Sequence, residues 1–331
     1  MTEMFNAIVA EDVDGKAVAS LKRIGLADLP DEPVLVDVDF STLNYKDGLA
    51  VSGKGKICRT LPLICGIDLA GTVQDSADPV YKSGERILVN GFGMSELYNG
   101  GYSQKQRIKS EWIVRVPESL SLEEAMAIGT AGYTSMLCIQ ALQDNGVEPE
   151  NGPVLVTGAA GGVGSVAVSL LAGLGYEVHA STGRIDSEGD FLKSLGAAAL
   201  VPRADLSRDS KPLEKETWAG VVDTVGDKTL ATALAQTRYE GTVTACGLAG
   251  GMSLPTSVAP FILRGVTLRG IDSVMASRER RQRAWDALAR LIDLDQLHAI
   301  YSIVPMTKVP DIAHKIVNGE IRGRVVVDVN A

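Results

Sequence analysis

The sequence of 331 residues has few of the side chains that metal sites and disulfide scaffolds need. Its histidines and cysteines are His179, His298, His314, Cys58, Cys65, Cys138 and Cys246. None of them forms a C-x-x-C or an H-x-x-x-H pair, so a structural zinc lobe would lack its ligands and we expect no metal. Cysteines this far apart favour free thiols in a reducing compartment, which predicts a cytoplasmic protein.

A basic excess is also missing. The chain carries 32 Lys and Arg against 41 Asp and Glu, a formal net charge of −9. A protein that binds nucleic acid through a broad positive field is therefore not expected. The first ten residues contain no basic region followed by an apolar stretch, so we expect no signal peptide.

Residues 151–176 lack charge over a length sufficient to cross a membrane. However, they contain seven glycines and are typical of a strand, a glycine-rich turn and a helix, so no membrane span is expected. What the chain does have is a hydrophobic content of 45%, which supplies a folded core. Its length suggests about two domains.

Two patterns of secondary structure divide the chain near residue 125. Before this point β-branched residues and partial alternation predict strands at 34–40, 68–74, 85–90 and 112–116. A helix is predicted after Ser121, because its hydroxyl can cap the helix and Glu124 completes a capping box. This first part is therefore expected to be β-rich.

Beyond residue 125 short apolar segments alternate with helical ones. Strands are predicted at 154–157, 177–181, 199–201, 220–223, 242–245 and 266–269, and helices at 163–174, around 190–195 and at 278–294. The alternation indicates an α/β fold with a doubly wound parallel sheet. A last strand from Arg324 is predicted to return to the first domain. We therefore expect one domain of residues 1–125 and 271–331, and another of residues 126–270.

The turn after the first of these alternating strands has the form A-x-G-x-x-G, at Ala159, Gly161 and Gly164. Gly161 lets the backbone approach a pyrophosphate, and Gly164 lets the following helix lie close to the strand. The helix N-terminus then presents unpaired N–H groups to phosphates. We expect a dinucleotide to contact Ala160, Gly161, Gly162 and Val163.

The end of the next strand predicts which dinucleotide binds. NAD sites usually place Asp or Glu there, whereas the extra phosphate of NADP needs cations and hydroxyls. Here the strand ends in Ser181, Thr182, Gly183 and Arg184 without an acid. The sequence therefore favours NADPH over NADH.

Several motifs together carry a family resemblance. They are the fingerprint and residues 43–47, 53–56, 62–71, 129–134, 223–226, 245–251 and 270–273. On these motifs the whole chain resembles zinc-free medium-chain dehydrogenase/reductases of the quinone-reductase branch, and within it the acrylyl-CoA reductases. The resemblance implies a β-rich GroES-like catalytic domain and a Rossmann domain. Zinc-dependent relatives carry Gly-His-Glu where this chain has Gly66-Ile67-Asp68, so the catalytic metal ligand is replaced.

The resemblance also implies a reaction, the NADPH-dependent reduction of a C=C bond conjugated to a CoA thioester. It assigns Tyr45 to substrate polarisation beside the nicotinamide, with Asn44 as a second catalytic candidate. It adds Tyr45, Thr130, Arg203, Leu248, Ser273 and Arg324 as cofactor contacts. Two basic clusters could hold the phosphates of CoA, one at Lys54, Lys56 and Arg59 and the other at Arg278, Arg280, Arg281 and Arg283.

Two other functions remain open at this point. The same fold and cofactor could reduce quinones or free enones, for which no charge cluster is needed. The chain could also be a non-enzymatic NADPH-binding sensor or a crystallin-like protein, because a fold alone does not fix function. Relatives commonly pair through the edge of the nucleotide-binding sheet, so a homodimer is expected through the strand from Val266 to Arg269.

Overall fold

The computed structural model describes residues 3–331. Its strands are β1 (Met4–Val13), β2 (Lys16–Gly25), β3 (Val34–Thr42), β4 (Leu63–Ile64), β5 (Asp68–Ser76), β6 (Arg86–Asn90), β7 (Lys105–Ile108), β8 (Val114–Arg115), β9 (Val154–Val156), β10 (Val178–Thr182), β11 (Ala197–Pro202), β12 (Trp218–Asp223), β13 (Thr237–Ala245), β14 (Thr267–Gly270), β15 (Tyr301–Pro305) and β16 (Arg324–Asp328). Its α-helices are α1 (Tyr45–Ser52), α2 (Leu122–Asp144), α3 (Gly162–Gly173), α4 (Ile185–Ser194), α5 (Arg203–Leu206), α6 (Asp227–Gln236), α7 (Ala259–Arg264), α8 (Arg278–Leu291), α9 (Leu294–Ile300) and α10 (Val309–Val317).

The chain divides into two compact units. The first comprises the described residues up to Thr130 with Val274–Gln282 and Tyr301–Ala331, and the second comprises Ala131–Ser273 with Arg283–Ile300. Within the second unit, Trp285 of α8 is fully buried and its ring stacks on Tyr133, with centroids 6.5 Å apart. This apolar contact explains why the segment from Arg283 to Ile300 belongs to the second unit.

The first unit is rich in β-strands, as predicted. A sheet with the order β15-β16-β3-β5-β6-β8 forms most of it, β7 pairs with β3, and a smaller sheet has the order β2-β1-β4. The four strands predicted in this region are present, with 112–116 shortened to β8 behind a 3-10 turn. Buried aliphatic residues of these strands, such as Val36, Leu69, Ile87 and Val327, build its core.

The hairpin formed by β1 and β2 was not predicted from the sequence. Its turn consists of Asp14 and Gly15, which both have positive φ (52° and 78°), and the Gly15 N–H donates to Asp12 Oδ1 at 2.8 Å. Asp-Gly is the residue pair that two-residue hairpin turns of this kind favour. The signal was therefore present, but β1 and β2 carry too little strict alternation to draw attention to it.

The second unit confirms the doubly wound α/β prediction. Its sheet has the order β11-β10-β9-β12-β13-β14 with parallel pairing throughout. The strand order reverses between β9 and β12, which is where open parallel sheets bind ligands. The predicted helix at 278–294 is wrong in one respect, since α8 ends at Leu291 and α9 begins at Leu294.

Among residues 3–331, α2 has the length and hydropathy to cross a membrane. In its most apolar window 94% of the residues are buried inside the protein. A helix buried in this way has no face for lipid, so its apolar character belongs to the core. The predicted capping box is confirmed: Ser121 Oγ accepts from the Glu124 N–H, and Glu124 Oε2 accepts from the Ser121 N–H.

Candidate active site

The turn between β9 and α3 has the geometry of a phosphate cradle. A side chain at Gly164 would place its Cβ 2.4 Å from the carbonyl oxygen of Gly158, so only glycine lets the helix lie this close to the strand. Gly161 occupies the N-cap position, and the first N–H groups of α3 follow it. The Ala159 N–H donates to the carbonyl of Ser181, which joins this turn to the end of β10. The structure thus brings the fingerprint together with the end of β10, which is predicted to select the cofactor.

A buried polar network supports this turn from the neighbouring strand. Thr157 Oγ1 donates to Asp223 Oδ1 at 2.7 Å, and the Gly226 N–H donates to Asp223 Oδ2 at 2.8 Å. The Thr224 N–H donates to Thr157 Oγ1, and the Thr224 hydroxyl donates to the Thr157 carbonyl. Burial raises the pKa of Asp223, and these donors oppose that rise. In the sequence, residues 223–226 are only one of the motifs that carry the family resemblance, and no separate role is predicted for them.

The end of β10 forms a second corner of the site. Ser181 and Thr182 are buried, and Thr182 Oγ1 accepts from the Arg184 N–H at 3.1 Å, which fixes the turn. Gly183 is exposed and lies against Arg203, since a Cβ on Gly183 would be 2.8 Å from the guanidinium carbon. Arg203, which the sequence placed in the site by resemblance alone, therefore lies directly beside the predicted phosphate-binding turn.

In the first unit the carboxylate of Asp68 collects five hydrogen bonds. Oδ1 accepts from Asn90 Nδ2 and Thr130 Oγ1, and Oδ2 accepts from Thr42 Oγ1, Asn44 Nδ2 and the Thr130 N–H. The hydroxyl proton of Thr130 is thus donated to Asp68. A carboxylate with this many donors is an organising centre for the residues around it.

Asn44 and Arg324 complete this cluster. The Asn44 amide donates to Thr42, Asp47 and Asp68, and its oxygen accepts from Arg324 Nη1 at 2.9 Å. Arg324 is 2% exposed, its Nε donates to the carbonyl of Ala127, and its Nη2 has no hydrogen-bond partner within the described chain. Burial lowers the pKa of Arg324, and the neighbouring carboxylates oppose this. The Asn44 amide is therefore committed to neighbouring protein groups.

Asp47 links this cluster to the start of α1. Its Oδ2 accepts from the Asn44 N–H at 2.9 Å, and its Oδ1 accepts from the Ile67 N–H at 2.9 Å. Burial, and then repulsion from Asp68, raise the pKa of Asp47 to about 7. From the sequence Asp47 is, like Asn44, either a second catalytic candidate or a turn residue, because its burial and the approach of Asp68 are visible only in three dimensions.

The remaining predicted residues differ in their exposure. Tyr45 is the first residue of α1 and is 38% exposed, so its phenol is open to a ligand. Leu248 is exposed and Ser273 is half-buried. Ala160 is buried, while Gly161, Gly162 and Val163 are half-buried. Their contacts with a cofactor stay predictions.

The two basic clusters differ in burial and in ion pairing. Arg281 is buried, donates to the carbonyls of Asn90 and Val274, and lies 4.2 Å over the ring of Phe92. Arg283 forms a bidentate ion pair with Asp144 at 2.7 and 2.9 Å. Treating Arg278, Arg280, Arg281 and Arg283 as one phosphate-binding cluster is therefore wrong, because Arg281 is buried and the charge of Arg283 is paired with Asp144. Lys54, Lys56 and Arg59, in contrast, are all exposed.

The donors needed for a zinc site do not come together. Catalytic and structural zinc sites use three or four side chains of His, Cys, Asp or Glu. No group of three such side chains with suitable placement occurs between residues 3 and 331. Asp68, which stands where zinc-dependent relatives have Glu, is surrounded by amide and hydroxyl donors instead. These residues do not fit a metal.

Two family models match the chain, the alcohol dehydrogenase GroES-like domain at residues 30–118 and the zinc-binding dehydrogenase at residues 162–290. The acrylyl-CoA reductase AcuI of Ruegeria pomeroyi is 49% identical over 99% of this chain and 100% of its own. A protein of Bacillus subtilis named as a quinone oxidoreductase, YhfP, is 43% identical over 99% of both chains.

Solved structures agree over the full length. Escherichia coli K-12 YhdH with bound NADPH matches with a TM-score of 0.96 at 49% identity, covering 98% of this chain and 100% of that one. Bacillus subtilis yhfP with bound NAD matches with a TM-score of 0.95 at 42% identity, covering 99% and 100%.

Proposed function

This chain belongs to the medium-chain dehydrogenase/reductase family, in its quinone-reductase-like branch, and we propose that it reduces the C=C bond of a short enoyl-CoA with NADPH. The most favoured reaction is acrylyl-CoA to propionyl-CoA. The observation that carries the proposal is the 49% identity to an acrylyl-CoA reductase over essentially both chains. Gly66-Ile67-Asp68, where zinc-dependent relatives carry Gly-His-Glu, agrees with this proposal.

The choice of NADPH rests on the corner formed by β10 and Arg203. An exposed glycine beside a guanidinium, with Ser181 and Arg184 next to it, suits a phosphate monoester on the adenosine ribose. An acid that would favour the free ribose hydroxyls is missing from the strand end. The fingerprint residues 160–163 would hold the pyrophosphate, and Tyr45, Thr130, Leu248, Ser273 and Arg324 remain predicted contacts of the cofactor.

When bound, NADPH supplies a hydride to the β-carbon of the enoyl group. Negative charge then develops on the thioester oxygen, and a hydrogen-bond donor must stabilise it. The phenol of Tyr45 suits this role because it is exposed at the N-terminus of α1, where the helix dipole also favours negative charge. The α-carbon then takes up a proton, for which Tyr45 is again our candidate donor. Asn44 was a second candidate, but its amide is bound to four protein groups, so we assign it to positioning.

An acceptor panel tests the proposal. NADPH oxidation is followed with acrylyl-CoA, crotonyl-CoA, a free enone and a quinone as separate acceptors. We expect the highest kcat/KM with acrylyl-CoA. A higher value with the quinone or the free enone would favour the second candidate function, which the similarity to YhfP supports. NADPH binding without oxidation by any acceptor would favour a sensor or structural role.

The protein is further proposed to be a cytoplasmic homodimer that binds neither membrane nor nucleic acid. Its four cysteines are free thiols, which suits a reducing compartment. In the second unit β14 pairs with β13 on one side and forms one edge of the sheet. Ile262 and Leu263 of the preceding α7 are largely exposed, which supports pairing of two copies at this edge.

A further inference from the structure

We propose that residues 53–60, here called the lysine loop, bind the phosphates of the CoA thioester through Lys54, Lys56 and Arg59. This inference rests on the proposed function, because it locates the nucleotide end of that substrate. The phosphorylated end of CoA is a polyanion, and its recognition requires exposed cations that are not already neutralised. Of the two clusters that the sequence offers, the lysine loop meets this condition.

The charge around the loop is locally positive in an acidic protein. Residues 48–67 contain Lys54, Lys56 and Arg59 but no Asp or Glu, although the whole chain has a net charge of −9. Neither lysine forms an ion pair in the described part of the chain; Lys54 Nζ lies 3.3 Å from the amide oxygen of Asn318. Binding follows the local potential rather than the total charge.

Arg59 has a partner but stays accessible. Its Nη2 lies 2.9 Å from Glu96 Oε1, and Lys46 shares the same carboxylate. The Arg59 side chain nevertheless remains 65% exposed. A single carboxylate facing two cations leaves an excess of positive charge, so Glu96 orients Arg59 without removing it as a phosphate ligand.

The loop lies at a suitable distance from the reacting end. It begins at Gly53, which ends α1 in the left-handed conformation (φ 66°), whereas Tyr45 begins the same helix. Eight residues of helix span about 12 Å. A CoA thioester carries its phosphates at the far end of an extended pantetheine arm. Its acyl group at Tyr45 and its phosphates at the loop would therefore occupy opposite ends of α1.

Hydrogen bonds anchor the end of the loop at Arg59 and Thr60 before any ligand arrives. The Arg59 N–H donates to the Glu96 carbonyl at 2.8 Å, and Thr60 Oγ1 donates to the Leu97 carbonyl at 3.2 Å. Gly55 approaches Leu49 of α1, where an added Cβ would lie 3.3 Å from the Leu49 Cβ. Such preorganisation lowers the entropy lost when a ligand binds.

The test uses the triple variant Lys54→Gln, Lys56→Gln, Arg59→Gln in the full chain. KM and kcat are measured for acrylyl-CoA and for the acrylyl thioester of N-acetylcysteamine, which lacks the nucleotide. We expect KM for acrylyl-CoA to rise about tenfold or more, with kcat and the KM for the short thioester unchanged. Competitive inhibition by adenosine 3′,5′-bisphosphate should weaken in parallel. The double variant Arg278→Gln, Arg280→Gln is the matched control and should leave both KM values unchanged.

Failure of this inference differs from failure of the proposed function. If the wild-type enzyme reduces neither thioester, the proposed function is wrong. If it reduces both, and the triple variant leaves the KM ratio of the two thioesters unchanged, the lysine loop does not bind CoA. A rise in KM for acrylyl-CoA in the control variant instead would transfer the role to α8. Charge-preserving Lys54→Arg and Lys56→Arg changes should keep the low KM, which separates charge from folding.

Discussion

At the scale of single residues, the site depends on how buried polar groups are satisfied. The buried carboxylate of Asp68 accepts five hydrogen bonds. Arg324 donates to Asn44, which the same carboxylate holds. These bonds fix Asn44 at the N-cap of α1 and hence the start of the helix that displays Tyr45. In the proposed mechanism the exposed phenol of Tyr45 carries out the chemistry, and the buried groups position it.

Changing Tyr45 to Phe tests this division of roles. Because the ring remains and the hydroxyl is lost, we expect kcat for acrylyl-CoA to fall about a hundredfold. The affinity for NADPH, measured by fluorescence quenching, and the melting temperature should change little. Full turnover by the variant would remove Tyr45 from the reaction.

Changing Arg203 to Ala tests cofactor selection. Loss of one charge-assisted bond to the extra phosphate should raise KM for NADPH about tenfold to a hundredfold and leave KM for NADH unchanged. Arg184→Ala should act in the same direction. Lys193→Ala, which removes an exposed cation from α4, is the matched control. An unchanged NADPH-to-NADH preference in both arginine variants would contradict the assignment.

Asp47 predicts a pH dependence of stability. Burial, and then repulsion from Asp68, raise its pKa from the ordinary value of 3.8 to about 7 in the folded protein. Between these two values the folded state holds a proton that the unfolded state has lost. The contribution of Asp47 to the free energy of unfolding therefore falls as the pH rises through this window, and is constant above it.

The variant Asp47→Asn cannot titrate, so it should lose this dependence. We expect melting curves recorded from pH 5 to about pH 8 to show the wild type losing stability relative to the variant. Asp75→Asn, at an exposed position in the same unit, is the control. A constant difference between wild type and Asp47→Asn over this range would show that Asp47 does not titrate there.

At the scale of elements, the long helix α2 is interrupted where it meets the polar cluster. Gly129 has φ 48° and ψ −159°, a conformation outside the helical region. The interruption lets the Thr130 N–H turn to Asp68. It also brings the Ala127 carbonyl to Arg324. The capping box at Ser121 could be read from the sequence, but this interruption could not, since it depends on a strand more than fifty residues earlier.

Gly129→Ala tests that interruption. The added Cβ would lie 2.6 Å from Arg324 Nη2 and 3.0 Å from Thr42 Cγ2, and its backbone conformation is strained for any side chain. We expect a loss of about 1–3 kcal/mol in the free energy of unfolding, measured by urea denaturation. Gly173→Ala at the end of α3, where no atom lies within 4 Å of the new Cβ, should be neutral or stabilising. Equal effects of the two changes would contradict the structural role of Gly129.

At the scale of the whole molecule, β14 leaves one edge of the parallel sheet open for pairing with a second copy. Sedimentation equilibrium should give about twice the chain mass of 34.9 kDa. The double variant Ile262→Lys, Leu263→Glu should sediment as a monomer because it places charges on the apolar surface beside β14. Val80→Lys, at an exposed apolar position in the other unit, should remain a dimer. A monomeric wild type would refute the dimer.

The sequence by itself determined the parallel α/β sheet, and it predicts the phosphate-binding turn and the strand end that would select the cofactor. Each of these depends on residues that are neighbours along the chain: Gly161 and Gly164 in one turn, and Ser181 to Arg184 at one strand end. Their spacing alone carries the information, because the backbone geometry of a strand, a turn and a helix start is local.

Only the tertiary structure decided which polar groups are free to act. Asn44 and Arg281 are candidate functional residues in the sequence. However, the Asn44 amide also bonds to Asp68 and Arg324, which are distant along the chain, and Arg281 is buried against Phe92. The pKa of Asp47 likewise depends on Asp68, which approaches it only after folding. Burial and the pairing of residues far apart along the chain decide which hydrogen bonds remain for a ligand, and local spacing does not contain that information.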